Sequence, residues 1–341
     1  MSRSLTEAWE LGSLKVPNRV LLAPLAGIGN WFVRLQAKRY GAGMAVSEMV
    51  SSHAIHYANE KTWTEMLRID PRERAGGPVS IQLFGEDPAM MRFAAAHVAR
   101  VGADAIDINM GCPVVKVAKT GAGAALLDDP DRAVAVARAA VEGAGTVREG
   151  LPVSVKLRSG LRDGETSGFE LAHRLVAEAG VAAIAFHPRS AAVQHKGAPD
   201  YALVARLVES LPAPVILTGG LSDAERVHEA FHTTGAAAVM LARGALGNPW
   251  LFAELTGLRR RGPSAQEVLA ELDWTIDRAV EHLGEPRATR YLRKFYPWYL
   301  ARLEGGVRDA KHLQESLQTA PTLDAARTLL GLALRPSLAA L

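Results

Sequence analysis

The sequence predicts an α/β fold, a TIM (β/α)8 barrel followed by a smaller C-terminal all-α helical domain. Eight short apolar segments recur along the first 250 residues, separated by Ala-, Arg- and Glu-rich stretches with helical spacing. This alternation signals βα units around a parallel sheet. Nearly all eight segments end in polar or charged residues, and beyond Trp250 no strand-like run follows through Leu341.

The first predicted strand, Val20 to Ala26, runs into APLAGIGN. Those glycines fall short of the GxGxxG that opens a doubly wound dinucleotide fold, which favours the barrel. The second strand, Met44 to Met49, brings Glu48, and the third, Val79 to Gly85, brings Gln82. The fourth, Ala105 to Gly111, ends in Asn109 and then Cys112, and the fifth, Val153 to Gly160, carries Lys156 and Arg158. The sixth, Ala183 to Ser190, carries His187 and Arg189; the seventh, Val215 to Gly220, ends in Thr218, Gly219 and Gly220; the eighth, Ala238 to Gly244, ends in Ala242, Arg243 and Gly244. In a barrel all these ends face one mouth, where TIM-barrel active sites lie.

Cys112 is the only cysteine in 341 residues and stands in NMGCP. A lone cysteine is often a buried small hydrophobe, but one at a strand end, with a proline turning the chain away, is exposed to whatever the mouth binds. The glycine-rich loops TGGL and ARGALGNPW follow the seventh and eighth strands. Free backbone N–H groups there suit a phosphate, and Arg243 can add a charge-assisted bond. Lys156, whose ammonium can sit beside an electron-rich ring, and Gln82, which both donates and accepts, extend this to a flavin mononucleotide, with its phosphate at the last two strands and its ring over the barrel centre.

A hydrophobic content of 48% suffices for a large core. One cysteine excludes an internal disulfide and multi-cysteine metal sites, and no metal site is expected. The longest charge-free run, Val20 to Val33, is 14 residues with Pro24 inside it, short of a membrane span. The start MSRSLTEAWELG carries acids where a signal peptide would be apolar. These features predict a soluble cytoplasmic protein that needs neither a membrane nor an obligatory protein partner. The net charge of +3 lies wholly in the C-terminal quarter: 13 Lys/Arg against 10 Asp/Glu from Leu255 onward, and 26 of each before it.

APLAGIGNWFVR, GAGMAVSEMVSS, VSIQLFGEDP, DINMGCPVVKVAKTGAGAALL, PVSVKLRSG, FHPRS followed by HKG, and ARGALGNPWLF together resemble the successive signatures of the tRNA-dihydrouridine synthases. The likeness covers about residues 15 to 255, and NMGCP followed by GAGAALL is specific to that family among flavin barrels. It implies a flavoenzyme whose FMN, reduced by NADPH, passes hydride to C6 of particular tRNA uridines while a cysteine protonates C5. Cys112 matches that cysteine, and thiols, which titrate near 8.5, are mostly protonated at neutral pH as a proton donor must be. The resemblance places flavin contacts on Pro24, Leu25, Ala26, Gln82, Lys156 and His187, and phosphate contacts on Thr218, Gly219, Gly220, Ala242 and Arg243. Asn109 and Arg189 match positions that face the uracil or the flavin. The chain departs from the pattern at Gly29-Asn30, where many members have Thr-Asp, at Thr218-Gly219-Gly220, where they have Asn-Gly-Asp, and at Pro188, where they have Gly.

Residues 1–255 are therefore expected to form the FMN-binding catalytic barrel and residues 256–341 a helical tRNA-binding domain. Between Arg287 and Gly306, Arg287, Arg290, Arg293 and Lys294 interleave with Tyr291, Phe295, Tyr296, Trp298 and Tyr299. The cations can contact phosphates and the rings can stack on bases; an amphipathic helix with aromatics inward and arginines in water fits the same pattern, and the family's tRNA-gripping helical domain favours the former. Two other functions remain open on this barrel: an FMN-dependent small-molecule pyrimidine oxidoreductase resembling dihydroorotate dehydrogenase, and a non-catalytic tRNA-binding relative, against which the intact Cys112, Lys156 and His187 speak.

Overall fold

The computed structural model describes residues 3–303 and 310–333. Eight parallel strands close into a barrel: β3 (Val20–Leu22), β4 (Met44–Ser51), β5 (Val79–Phe84), β6 (Ala105–Met110), β7 (Val153–Arg158), β8 (Ala183–His187), β9 (Val215–Thr218) and β10 (Ala238–Leu241), with β10 pairing back onto β3. The predicted barrel is thus present. Seven of its strands are shorter than the sequence suggested, because their last predicted residues are loop. After Leu22, for example, Pro24 offers no N–H to a ladder and the chain turns over Ala26 to Ile28. β4 instead runs on to Ser51, with a register shift against β5 between Val46 and Met49.

Before the barrel lies an antiparallel hairpin that the sequence reading missed, β1 (Trp9–Leu11) and β2 (Leu14–Val16). Trp9, Leu11 and Val16 pack onto Leu21, Met44, Val46, Ala105, Ala183, Ala185, Ile216 and Met240, which point into the barrel. At the hairpin turn, a Cβ on Gly12 would lie 3.2 Å from Pro152 and 3.4 Å from Ala182, the residues just before β7 and β8. The hairpin therefore stoppers the N-terminal end of the barrel, and small inward alanines make room for it.

The surrounding helices are α1 (Trp31–Arg39), α2 (Ser52–His56), α3 (Pro88–Arg100), α4 (Val115–Ala118), α5 (Pro130–Gly145), α6 (Ser167–Ala179), α7 (Tyr201–Ser210), α8 (Ala224–Thr234) and α9 (Trp250–Leu255). Asp-Pro pairs begin two of them: Asp87 and Asp129 accept the third helical N–H while Pro88 and Pro130 occupy the first turn, where no N–H is missed. Then come α10 (Ala265–Leu283), α11 (Glu285–Leu292), α12 (Tyr296–Leu300), α13 (Ala310–Thr319) and α14 (Leu323–Ala333), as the helical spacing predicts; residues 304–309 and 334–341 lie outside the described residues.

These helices dock on α1 through buried polar groups. Gln36 Nε2, with two hydrogens, lies within hydrogen-bonding distance of Glu271 (2.8 Å), Thr275 (3.1 Å) and Tyr299 Oη (2.7 Å), and Tyr40 Oη donates to the other Glu271 oxygen (2.7 Å). Nearer the mouth, Asn30 Nδ2 donates to Tyr291 Oη (2.7 Å), which donates to Ile28 O (3.0 Å). No helix among the described residues is long and apolar enough to cross a membrane.

Candidate active site

Alternate residues of a strand face the barrel interior, and β6 spends three of them on a graded series: Ala105 against the stopper, Asp107 midway, Asn109 at the mouth. The register sets Gln82 of β5 and Ser154 of β7 beside Asp107, and Lys156 beside Asn109. A continuous chain of hydrogen bonds results. Ser154 Oγ donates to Asp107 Oδ1 (2.6 Å), Gln82 Nε2 donates to Asp107 Oδ2 (2.6 Å), and Asn109 Nδ2 donates to Gln82 Oε1 (2.9 Å). Asn109 Oδ1 accepts from the N–H groups of Gly111 (3.2 Å) and Cys112 (2.9 Å). Gln82 is 0%, Asp107 1% and Ser154 4% exposed, so the inner part of the chain runs in a nearly dry interior, and it reaches half-buried Asn109 at the mouth. Burial pushes the Asp107 carboxyl above the usual range, against the pull of its two donors and the Lys156 charge.

Cys112 is fixed from both sides and half-buried. Its carbonyl accepts from Ala124 N–H (3.0 Å), and Arg158 Nε donates to Gly111 O (2.8 Å). Gly123 has φ of +64°, and a Cβ there would meet Cys112 O at 2.9 Å, so only glycine lets the GAGAALL segment lie against the cysteine.

Arg158 and Arg189 brace the site. Arg158 also donates to Ser190 O and Gln194 O, and Arg189 donates to Gly197 O and lies 3.3 Å from His187 Nε2. Burial, then the charges of Lys156, Arg158 and Arg189, holds His187 far below its ordinary pKa, which keeps the ring neutral. Lys156 is lowered to about 8, by burial first and the Arg158 charge second. Among the described residues Lys156 makes no hydrogen bond or ion pair, so a desolvated ammonium waits at the mouth for an anionic or electron-rich partner.

The loops after β9 and β10 combine two requirements. A Cβ on Gly219 would stand 2.3 Å from the His187 ring, one on Gly220 2.6 Å from Tyr201 Oη, and one on Gly244 2.4 Å from Leu221 O. The protein's own packing therefore demands these glycines. Independently, among the described residues the N–H groups of Gly219, Gly220, Arg243 and Gly244 have no acceptor in the protein. Thr218 is buried, Ala242 half-buried and Arg243 exposed. With Lys156 and Arg243 these donors suit a phosphate-bearing ligand. On the facing rim, Leu25 is buried, Pro24 half-buried and Ala26 exposed. Among the described residues no cluster of His, Cys, Asp and Glu could hold a metal.

The four predicted RNA contacts separate. Arg287, Arg290 and Lys294 line a cavity of about 320 Å³ between the helices and the mouth, together with Glu48, Glu65 and His282, whereas Arg293 is exposed away from it. Arg287 makes two 2.8 Å bonds to Glu65 and Lys294 donates to Gly27 O (3.1 Å), which leaves Arg290 as the uncommitted cation of the three. Phe295, Tyr296 and Tyr299 are buried, so these three build the helical core instead of presenting stacking faces, whereas Tyr291 and Trp298 are half-buried and Tyr291 lines the cavity. Sequence reasoning missed Asp107, Ser154 and the Asn30–Tyr291 link. The inward period-2 pairing of Asp107 with Asn109 was the available signal for the first.

Residues 21–330 match the family described as dihydrouridine synthase. The chain is 34% identical to tRNA-dihydrouridine synthase B of Pseudomonas aeruginosa, over 86% of this chain and 87% of that one. It is 35% identical to a probable tRNA-dihydrouridine synthase 1 of Synechocystis, over 87% and 82%, and 36% identical to a probable tRNA-dihydrouridine synthase of Rhodobacter capsulatus, over 85% and 88%. Among solved structures, morphinone reductase superposes with a TM-score of 0.56 at 20% identity, over 79% of this chain and 93% of that one, a likeness of fold.

Proposed function

The chain belongs to the dihydrouridine synthase family, and on that premise we propose that it reduces the C5=C6 bond of particular tRNA uridines to 5,6-dihydrouridine in the cytoplasm, with FMN as cofactor and NADPH as electron donor. The observation that carries this reading is the fixed Cys112 at a mouth whose ammonium, Lys156, makes no hydrogen bond or ion pair among the described residues. When bound, FMN reduced by NADPH supplies the hydride that reaches C6 of the uracil. Lys156 and His187 would hold its ring, Pro24, Leu25 and Ala26 would pack against it, and Arg243 with the N–H groups of Gly219, Gly220, Arg243 and Gly244 would hold its phosphate.

Cys112 Sγ gives its proton to C5. Hydrogen bonds from Cys112 N–H to Asn109 and from Ala124 N–H to Cys112 O hold the Cys112 backbone, and with it the root of the side chain, in place, a pre-alignment of the kind on which proton transfer depends. Asn109 thereby serves as the anchor of the cysteine loop, and Arg158 and Arg189 brace the loops around it. The target base is stacked inside tRNA and is drawn out to reach this depth. We assign residues 1–255 to catalysis and residues 256–341 to tRNA docking, with Arg290 the leading phosphate contact at the cavity.

Expression in cells lacking their own dihydrouridine synthases, followed by mapping of dihydrouridine in tRNA, tests the reading; absence of the base at every position sinks it. The engagement of Arg287 and Lys294 by the barrel favours a second reading, a small pyrimidine substrate, and turnover of a free pyrimidine without tRNA would establish it. Deleting residues 256–341 does not separate the two, since it would strip the cover from Gln36.

A further inference from the structure

Asp107 is a carboxylate in a nearly dry barrel with no ion-pair partner among the described residues. Removing a carboxylate from water is strongly unfavourable unless its hydrogen bonds are supplied, and two donors, Ser154 and Gln82, supply them. The proposed chemistry makes no direct use of this group.

We propose that Asp107 is a positioning residue that sets the direction of the hydrogen-bond chain ending at Cys112. An ionised carboxylate only accepts. Gln82 must then turn Nε2 toward Asp107 and Oε1 toward Asn109. Asn109 must answer with Nδ2, which commits its Oδ1 to the N–H groups of Gly111 and Cys112. Each amide has one permitted orientation because the preceding one has. Reversal of the chain would face the Asn109 NH2 group toward two N–H donors and release the cysteine loop. A neutral amide in place of the carboxylate can donate as well as accept, and permits that reversal.

This inference deepens the reading of Cys112 as the proton donor and rests on it, but its test uses the ligand-free protein, so failure of the activity leaves the test intact. Cys112 is the only cysteine: selective 15N-cysteine labelling gives one amide cross-peak, and iodoacetamide alkylation reports one thiol. In Asp107→Asn the cross-peak is expected to move and the alkylation rate to rise about fivefold, the effect of one lost hydrogen bond. Asn109→Ala gives the same direction of change, and the double variant adds nothing to Asn109→Ala alone, as coupling through one chain requires. Gln82→Leu cuts the chain while residue 107 stays an aspartate, which keeps its Ser154 donor and loses the Gln82 one, and reproduces the effect even if Asp107→Asn fails to fold. A wild-type cross-peak and rate in Asp107→Asn or Gln82→Leu, or full additivity with Asn109→Ala, overturns the proposal. So does Lys156→Met giving the same change at Cys112, which would mean that charge balance with Lys156 is the whole role of Asp107.

Discussion

The two ends of the barrel are built from the same strands and could hardly differ more. At the N-terminal end, Ala105, Ala183, Ala185, Ile216 and Met240 close around the hairpin residues Trp9, Leu11 and Val16 with no polar side chain among them. Two to four residues further along the same strands stand Asn109, His187 and Thr218, with Lys156 on β7 between Asn109 and His187. The apolar end contributes through area removed from water, and nothing there has to move or bind. The mouth keeps a desolvated ammonium, a neutral histidine and four N–H groups without acceptors among the described residues, a set suited to a ligand and of little use to folding. Division of labour along the barrel axis is the lesson, and each end predicts its own response to mutation.

The largest effect is expected at Cys112. Cys112→Ala should lower dihydrouridine yield about 10²- to 10⁴-fold, the range for a lost general acid, while FMN binding, NADPH oxidation and urea unfolding stay as in wild type; normal yield removes Cys112 from its assigned role. The opposite end should give the mirror image. Trp9→Ala opens the stopper and is expected to lower unfolding free energy by about 3–5 kcal/mol with kcat nearly unchanged at low temperature. Equal loss of activity and stability in both variants would dissolve the distinction between the ends.

Lys156 offers a sharper test because pH moves its two contributions in opposite directions. Its pKa in the fold, about 8, lies below the ordinary lysine value. Between the two values the unfolded chain binds more protons, so the stability of the ligand-free protein rises with pH from about 8 to about 10. FMN affinity falls over the same interval as the ammonium is lost. Lys156→Met should flatten both slopes, and parallel slopes in urea titrations and FMN binding would contradict this. Smaller still, Arg290→Ala should reduce the salt slope of tRNA binding by about one phosphate contact, measured by filter binding across salt concentrations. Arg287→Ala should change it less, since Glu65 already holds that guanidinium.

The legibility of these features in sequence follows their physics. Strands of apolar runs bounded by Gly and Pro stand out, and eight could be placed in order. Their ends could not, since residues such as Ala23 and Pro24 are apolar without joining the ladder. The hairpin escaped because three-residue strands carry too few residues for a period to show. Cys112 and Lys156 were legible because each is chemically odd in its setting. Asp107 was not: one acid in AIDINM looks like any polar break in a strand, and only the register with Gln82 and Ser154 reveals its partners. Similarly, the aromatic and basic residues of α11 and α12 read equally well as a stacking surface or a helical core, and only packing separates Tyr299, inside, from Arg290, outside.

The Gln36, Glu271, Thr275 and Tyr299 cluster carries a practical consequence for anyone recombining these parts. A cut after Leu255, where the chain itself invites one, would part Glu271 from Gln36 and Tyr40 and leave mismatched partners in a foreign graft. The natural unit of exchange is discontinuous in sequence: α1 travels with α10 to α12. Chimeras that transplant α1 along with the C-terminal helices should assemble, and those that divide at residue 255 should not.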